Sequence, residues 1–404
     1  MNARKVLNKR ILFYDKEIKL AYPKYAIKLL KELENRGYKL LILYDQPDLD
    51  SKETIAGVKL DEIYKSFDSI RVTSWDVVVK SVSMFSPDIY LSSLSLFGFE
   101  RKILEYIYSK NIKIFEMDTI ASEIMRYNYD WRYTSKVNKQ IMHRLKNIFR
   151  SICISLNIEK YLPRKILGVH VFYKQLELIS DFISLRGIWS QNFLTINNQM
   201  GYSKNRFPIT GSIQLDVLCN KIYKKEILFS KLGYDINKKT VLILPSLAWL
   251  KDKKDETFFN FITNSLIKKG CYNIAIQPHP ADRIKNPNRY KKLKHLIIHP
   301  LYFYPILQHS DLVCCPRSSV FFETAIAKIP LFFASHQKKT IEMPTITTRY
   351  KIVTFVSTKN FERKLDEVIS KKEKFYFDDF IKDFCFSDDG FSYKRVANKI
   401  EEIL

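Results

Sequence analysis

Two short stretches of this 404-residue chain hold residue types suited to chemistry. The first is Pro316-Arg317-Ser318-Ser319-Val320-Phe321-Phe322-Glu323-Thr324-Ala325, followed by Pro330. Ser318 and Ser319 stand between an apolar, strand-like run and a helical pattern. At such a junction the unpaired N–H groups and the positive end of the helix dipole favour a phosphate. The serine hydroxyls add donors, and Arg317 adds a fixed positive charge beside them. Glu323 falls one helical turn beyond Ser319, where a carboxylate can accept both hydroxyls of a ribose. The plainer reading is a serine N-cap followed by a solvated glutamate. The second stretch is Gln277-Pro278-His279-Pro280. A histidine directly after a strand end can meet a phosphate or an acceptor, and flanking prolines stiffen its loop. The plainer reading there is a surface turn, and His299-Pro300 is read that way.

The elements that must position these residues alternate along the chain. In the first half, Ile11–Tyr14, Tyr38–Tyr44, Ser69–Val72, Ile89–Leu91 and Ile112–Phe115 read as strands. Lys24–Asn35 and Lys102–Ser109 read as helices, and Gly37 stands where a helix C-cap glycine belongs. In the second half, Thr240–Leu244, Asn273–Gln277, Leu296–Ile298, Asp311–Cys314, Leu331–Phe333 and Ile352–Phe355 read as strands. Between and after them come helices at Glu256–Lys269 (capped by Asp255), Tyr302–Gln308 and Val320–Ala327, then one from Asn360 and a last one over Ser392–Leu404. Apolar strands separated by helices predict an α/β protein with parallel sheets covered on both faces. The length suits two domains. The expected division is 1–205, with a basic helical insertion at about 120–185, then 206–390, with 391–404 packing back on the first domain. Two doubly wound domains place their binding crevices at the carboxyl ends of their strands. The residues just after strand ends are therefore the ones to watch.

Composition narrows the classes. The hydrophobic share is 46% and the charged share 27%, which is globular rather than disordered. The formal net charge of +24 comes largely from lysine, alongside abundant Ile, Asn, Phe and Tyr. That pattern fits both an AT-rich genome and a preference for polyanions. Met1–Arg10 has no apolar core and is not read as a signal peptide, and no apolar run is long enough to span a bilayer. The six scattered cysteines are read as reduced, buried thiols with no metal-ligand spacing. Asp378-Asp379 and Asp388-Asp389 are read as helix-capping acids rather than metal ligands, so no metal site is expected.

The ordered set Thr210-Gly211-Ser212…Asp216, Pro245-Ser246, His279-Pro280, Asp311, Ser318-Ser319…Glu323-Thr324-Ala325…Pro330 resembles the C-terminal half of GT-B glycosyltransferases. More narrowly it resembles enzymes of capsule and surface-carbohydrate synthesis. Among these are the CDP-glycerol glycerophosphotransferases, with the non-hydrolysing UDP-N-acetylglucosamine 2-epimerases as relatives. Asp389-Gly390…Arg395 is similar to their last-helix pattern. The likeness covers about 207–404. It implies two Rossmann-like domains facing across a cleft. Ser318, Ser319 and Arg317 would bind the donor phosphate, and Glu323 the donor ribose. His279 would contact the donor phosphate or the transferred group. Ser246 would line the nucleotide pocket, and Gly211 would lie in the linker between domains. Gln277 stands where many relatives carry Lys. Pro316-Arg317 replaces the acidic-aromatic pair common in polyol-phosphate transferases, which shifts the expectation towards sugar transfer.

A transferase of the inverting kind needs a base for the acceptor hydroxyl. Asp15, Asp45 and Asp118 follow strand ends in the first half. Asp118, in Glu116-Met117-Asp118-Thr119, is the first choice, although the relatives' His is absent there. The expected activity is transfer of a sugar from a nucleotide-activated donor to a growing surface polysaccharide or lipid-linked glycan. The donor is a co-substrate, and no separate cofactor or metal is expected because Arg317 and a helix N-terminus can stabilise the leaving group. Rival readings are a polyol-phosphate transferase, a sugar-nucleotide 2-epimerase, and a non-catalytic scaffold of the same fold. Nucleic acid is not an expected partner, because no binding motif accompanies the charge. Trp131–Ile158 carries six basic residues and no acid, with Ile141, Leu145, Ile148 and Ile152 on one face. It is either a solvated helix or one that lies on anionic lipid. The expected location is cytoplasmic, peripheral on the inner face of the membrane.

Overall fold

The structure, a computed structural model, describes residues 9–16, 24–45, 64–92, 99–117, 181–185, 187, 207–220, 223–245, 253–279, 282, 287–299, 302–316, 318, 320–334 and 350–404. The first unit runs β1 (Arg10–Lys16), α1 (Lys24–Asn35), β2 (Lys39–Asp45), β3 (Ser69–Arg71), α2 (Trp75–Phe85), β4 (Ile89–Ser92), α3 (Phe99–Ser109), β5 (Lys113–Glu116) and β6 (Phe182–Ile183). The second holds α4 (Lys225–Leu232), β7 (Lys239–Ile243), α5 (Lys253–Lys269), β8 (Tyr272–Ile276), α6 (Phe303–Leu307), β9 (Leu312–Cys315), α7 (Phe321–Ile326), β10 (Leu331–Ala334), β11 (Val353–Val356), α8 (Phe361–Ile369) and α9 (Phe377–Phe384). The chain closes with α10 (Ser392–Ile403).

Both sheets are parallel throughout. The first has six strands in the order β3-β2-β1-β4-β5-β6, and the second has five in the order β11-β10-β9-β7-β8. These are the two doubly wound orders, and each reverses direction at one point: between β1 and β4, and between β7 and β9. The central strands are apolar on both faces because helices cover both. On β1, Ile11 and Phe13 enter one core cluster and Leu12 and Tyr14 the other. On β9, Leu312 and Cys314 face one layer while Val313 and Cys315 face the opposite one. The molecule is thus two Rossmann-like domains, as the alternation predicts.

The last helix does not stay with the second sheet. Its Val396, Ala397 and Ile400 are buried with Leu29, Leu30 and Leu33 of α1 in the first unit's core. Arg36 binds Glu32 at 2.9 Å and Glu401 of α10 at 2.9 Å. Phe207 and Ile213 are also buried in first-unit clusters, whereas Leu215 belongs to a second-unit cluster. We therefore place the crossing between Ile213 and Leu215, a few residues beyond 206.

Several local expectations differ from the structure. α5 begins at Lys253, so Asp255 lies inside it rather than capping it. Leu296–Ile298 forms no strand: Pro287–Leu296 is a 3₁₀ helix, and only Ile297 bridges to Ile276. β6 and Leu185, which pair at the sheet edge, fall within the stretch read as a helical insertion. α2, α4 and α9 are not picked out by sequence pattern. The β-branched run Val77-Val78-Val79 obscures α2, which Ser74 starts by accepting the Val77 N–H at 3.5 Å. Among the described cysteines Cys314, Cys315 and Cys385 are buried, but Cys271 is exposed and Cys219 partly so. Among the described residues no helix is long and apolar enough to cross a membrane, and no His, Cys, Asp and Glu cluster is arranged to hold a metal.

Candidate functional site

The reversal point of the second sheet gathers three strand ends. The Leu244 N–H, just past β7, donates to the Cys314 carbonyl of β9 at 2.8 Å. The Gln277 N–H, just past β8, donates to the Ile243 carbonyl at 3.0 Å, and the His279 N–H donates to the Pro245 carbonyl at 3.2 Å. The backbone after β7 is therefore tied on one side to β9 and on the other to the histidine loop. A crevice at this point is where a doubly wound sheet takes its ligand.

After β9 come buried Pro316 and part-buried Ser318. The Ser318 hydroxyl oxygen accepts the Val320 N–H at 3.3 Å, closing a small turn before α7. The N-cap of α7 is Val320, which has no side-chain cap bond. Ser318 is thus not the N-cap of this helix. Glu323 sits in the first turn of α7 and is half-buried, with Oε2 shielded from solvent. Its charge lies near the end of β9: burial first, then Cys314 and Glu323, push the Cys315 thiol well above its ordinary range. An acid in the first turn gains from the helix dipole.

His279 is half-buried. Burial pushes its pKa below the ordinary imidazole range, partly offset by the negative charge of Asp282, which favours the neutral ring. A neutral imidazole can accept a proton or share a hydrogen bond with a hydroxyl or phosphate. Beside it, Gln277 Nε2 donates to its neighbour Pro278's carbonyl at 3.4 Å, and Gln277 Oε1 is buried with no hydrogen-bond partner among the described residues. Arg317, Ser319, Ser246 and Asp118 lie outside the described residues, as does Trp131–Ile158.

The carboxyl edge of the first sheet also carries three buried polar residues, Asp15, Ser92 and Glu116. Asp15 ends β1 at the reversal point and is 2% exposed, with the Tyr64 hydroxyl donating to it at 2.5 Å. Ser92 ends β4 opposite Glu116, which ends β5 and is fully buried. Of the predicted bases, Asp15 is thus described with its environment, and Asp45 closes β2. Glu116 was passed over in sequence in favour of Asp118. The signal was present: a carboxylate that continues an apolar strand, Ile112–Phe115, is in a buried register.

Gly211 belongs to a different structure. Its φ is +80°, and a Cβ there would meet Ser392 Oγ at 2.6 Å, with Arg395 and the Cys385 carbonyl close behind. Arg395 Nε donates to the Thr210 carbonyl at 2.7 Å, and the same guanidinium pairs with Asp389 at 2.7 Å. Buried Asp216 accepts the N–H groups of Ser392 at 3.1 Å and Tyr393 at 2.9 Å. The Thr210-Gly211…Asp216 and Asp389-Gly390…Arg395 patterns therefore interlock where the chain crosses between domains. Asp389 also accepts the Phe391 N–H at 2.9 Å, which makes a turn just before α10 rather than a cap, since the N-cap is Phe391. Asp378 and Asp379 lie in the first turn of α9, where acids are favourable.

No protein-family model and no curated protein matches the sequence. Solved structures do match over nearly the whole chain. UDP-GlcNAc 2-epimerase from Methanocaldococcus jannaschii, in complex with UDP-GlcNAc and UDP, superposes with a TM-score of 0.61 at 12% identity, covering 97% of this chain and 99% of that one. UDP-GlcNAc 2-epimerase from Neisseria meningitidis, bound to UDP-GlcNAc, gives 0.58 at 12% identity, covering 97% and 100%. The wall teichoic acid polymerase TagF gives 0.57 at 13% identity, covering 98% and 90%. The fold is GT-B: two Rossmann-like domains facing across a cleft.

Proposed function

We propose that this GT-B chain is a nucleotide-sugar-dependent glycosyltransferase that extends a surface polysaccharide or lipid-linked glycan. The observation that carries the reading is the convergence of the β7, β8 and β9 ends at the reversal point of the second sheet, with Ser318 and His279 on loops that leave it and Glu323 in the first turn of α7. In this reading the donor diphosphate lies against the start of α7, where Ser318, Ser319 and Arg317 bind it and Ser246 flanks the nucleoside. Glu323 accepts the ribose hydroxyls, and His279 contacts the phosphate or the sugar. The acceptor hydroxyl attacks the anomeric carbon, its proton passes to a first-domain carboxylate, and the anomeric C–O bond breaks to release the nucleoside diphosphate. Asp118 and Glu116 are the carboxylates in sequence reach of one strand end. The chain's own donors and positive charge stabilise the leaving group, so neither a metal nor a separate cofactor is invoked.

One observation favours a second reading. Asp15 and Glu116 are both buried at the first sheet's carboxyl edge, which supplies first-domain acids for a sugar-nucleotide 2-epimerase. The names of the structural neighbours include that activity. A single pair of measurements separates the readings. UDP-, GDP-, CMP- and CDP-linked compounds are screened for a rise in melting temperature, and the best donor is then incubated without acceptor. A transferase is expected to return the donor sugar unchanged, whereas formation of its 2-epimer by NMR would replace the transferase reading. No stabilisation by any nucleotide would reject both.

The acceptor side of the proposal includes a membrane surface, since lipid-linked acceptors sit at one. The basic stretch Trp131–Ile158 is the segment with the composition for it. Vesicles containing anionic lipid should bind the protein, with binding weakened by salt. Lys139, Arg144, Lys146 and Arg150 changed together to Glu should abolish it. Equal binding by that variant would return the segment to a solvated helix.

A further inference from the structure

His279 stands on a loop that is held from beneath by an ion pair which a surface turn does not need. Asp282, three positions on, is completely buried. Its carboxylate accepts the Tyr290 hydroxyl at 2.7 Å and a second, short bond from the Arg289 guanidinium. Arg289 and Tyr290 come from the 3₁₀ segment Pro287–Leu296, and Glu256 of α5 lies 4.0 Å from the same guanidinium. The Asp282 main-chain N–H donates to the His279 carbonyl at 2.9 Å, while the His279 N–H donates to the Pro245 carbonyl. The histidine backbone is thus gripped on both sides, once by the end of β7 and once by a residue whose side chain is anchored in the interior.

Burying a carboxylate and a guanidinium carries a large desolvation cost, which good geometry only partly offsets. An apolar residue at 282 would hold the loop with less. What the ion pair adds is a fixed orientation and a negative charge under the imidazole. We infer that Asp282 is a positioning residue for His279, with Arg289 and Tyr290 as its anchors, so that the imidazole is presented to the donor in one place. The inference rests on the donor-site reading only in assigning His279 a ligand. The alternative is that Asp282 merely staples the Pro287–Leu296 segment to the sheet.

The charged and titratable groups on this side of His279 are Asp282, Arg289, Tyr290 and Glu256. Removing the Asp282 charge removes the one contribution that raises the His279 pKa. In Asp282→Asn the His279 C2–H resonance should therefore titrate at lower pH than in wild type, and UDP affinity should fall about tenfold through lost placement. Tyr290→Phe, which removes one donor but leaves the Asp282 charge, should lower UDP affinity in smaller measure without lowering the His279 titration, and serves if Asp282→Asn does not fold. Melting temperature reports the structural contribution separately. An unmoved His279 titration in folded Asp282→Asn, or wild-type UDP affinity in folded Tyr290→Phe where Asp282→Asn does not fold, overturns the inference. A moved titration in Asp282→Asn, together with wild-type UDP affinity in His279→Ala, leaves the positioning intact and removes the donor-site role of His279.

Discussion

Ser318→Ala combined with Glu323→Ala is expected to weaken nucleotide binding by about 100-fold or more and to leave the fold in place. The magnitude follows from the kind of bond lost. Hydrogen bonds from a hydroxyl to a phosphate, or from ribose hydroxyls to a carboxylate, are charge-assisted and worth ~1.5–3 kcal/mol each. About 1.4 kcal/mol is a factor of ten, so losing two such contacts reaches 100-fold. The fold should survive because the α7 side chains that build the core are Phe321, Phe322, Ala325 and Ile326, whereas Ser318 and Glu323 are only partly buried. Ser318 is not the helix N-cap, so its loss does not uncap α7. Ser319→Ala with Glu323→Ala should behave alike if both serines face the donor. The measurement is calorimetric titration of the nucleotide that most raises the melting temperature. Wild-type affinity in a well-folded double variant would remove the main support for nucleotide-sugar chemistry.

Asp216→Ala is expected to cost roughly 3 kcal/mol of stability and to loosen α10 from the first domain. Two buried N–H groups at the start of that helix would lose their acceptor, at ~1–3 kcal/mol each. The N-cap, Phe391, provides no side-chain bond to replace it. The same carboxylate leaves a signature in pH. Burial raises the Asp216 pKa above 3.8, against the opposing hydrogen bonds from Ser392 and Tyr393 and the charge of Arg395. The native state therefore holds this proton more tightly than the unfolded chain does. That contribution is complete below the unfolded pKa and is lost as pH rises through the folded one. Urea midpoints measured from acid to neutral pH should show this fall in wild type and less of it in Asp216→Asn. Gly211→Ala should strike the same latch from the other side, because its Cβ would displace the Ser392 hydroxyl and its φ of +80° suits glycine. A variant of Asp216 that melts with wild type would mean that water replaces the carboxylate at the helix end.

Short-range pattern carries the architecture of this chain. Apolar runs of strand length, broken by helical periods and by Gly37 and Gly270, set out parallel α/β architecture in both halves, because a side chain's inward or outward direction follows from its few nearest neighbours in the chain. The strand-end positions of His279, Ser318 and Glu323 follow from the same local reading, and so does the course of α10. The strand orders come from the tertiary structure alone, and with them the placing of the β7 and β9 ends at the reversal point, beside which Ser318 lies. Only the structure joined Asp216 to Ser392 and Thr210 to Arg395, pairs separated by 176 and 185 positions. Glu116 and Asp282 read in sequence as ordinary acids, and their complete burial is a property of what packs over them. Local periodicity reports which way a residue faces. It holds no information on which distant segment will lie against it, and the cost or benefit of a buried charge is set by that neighbour.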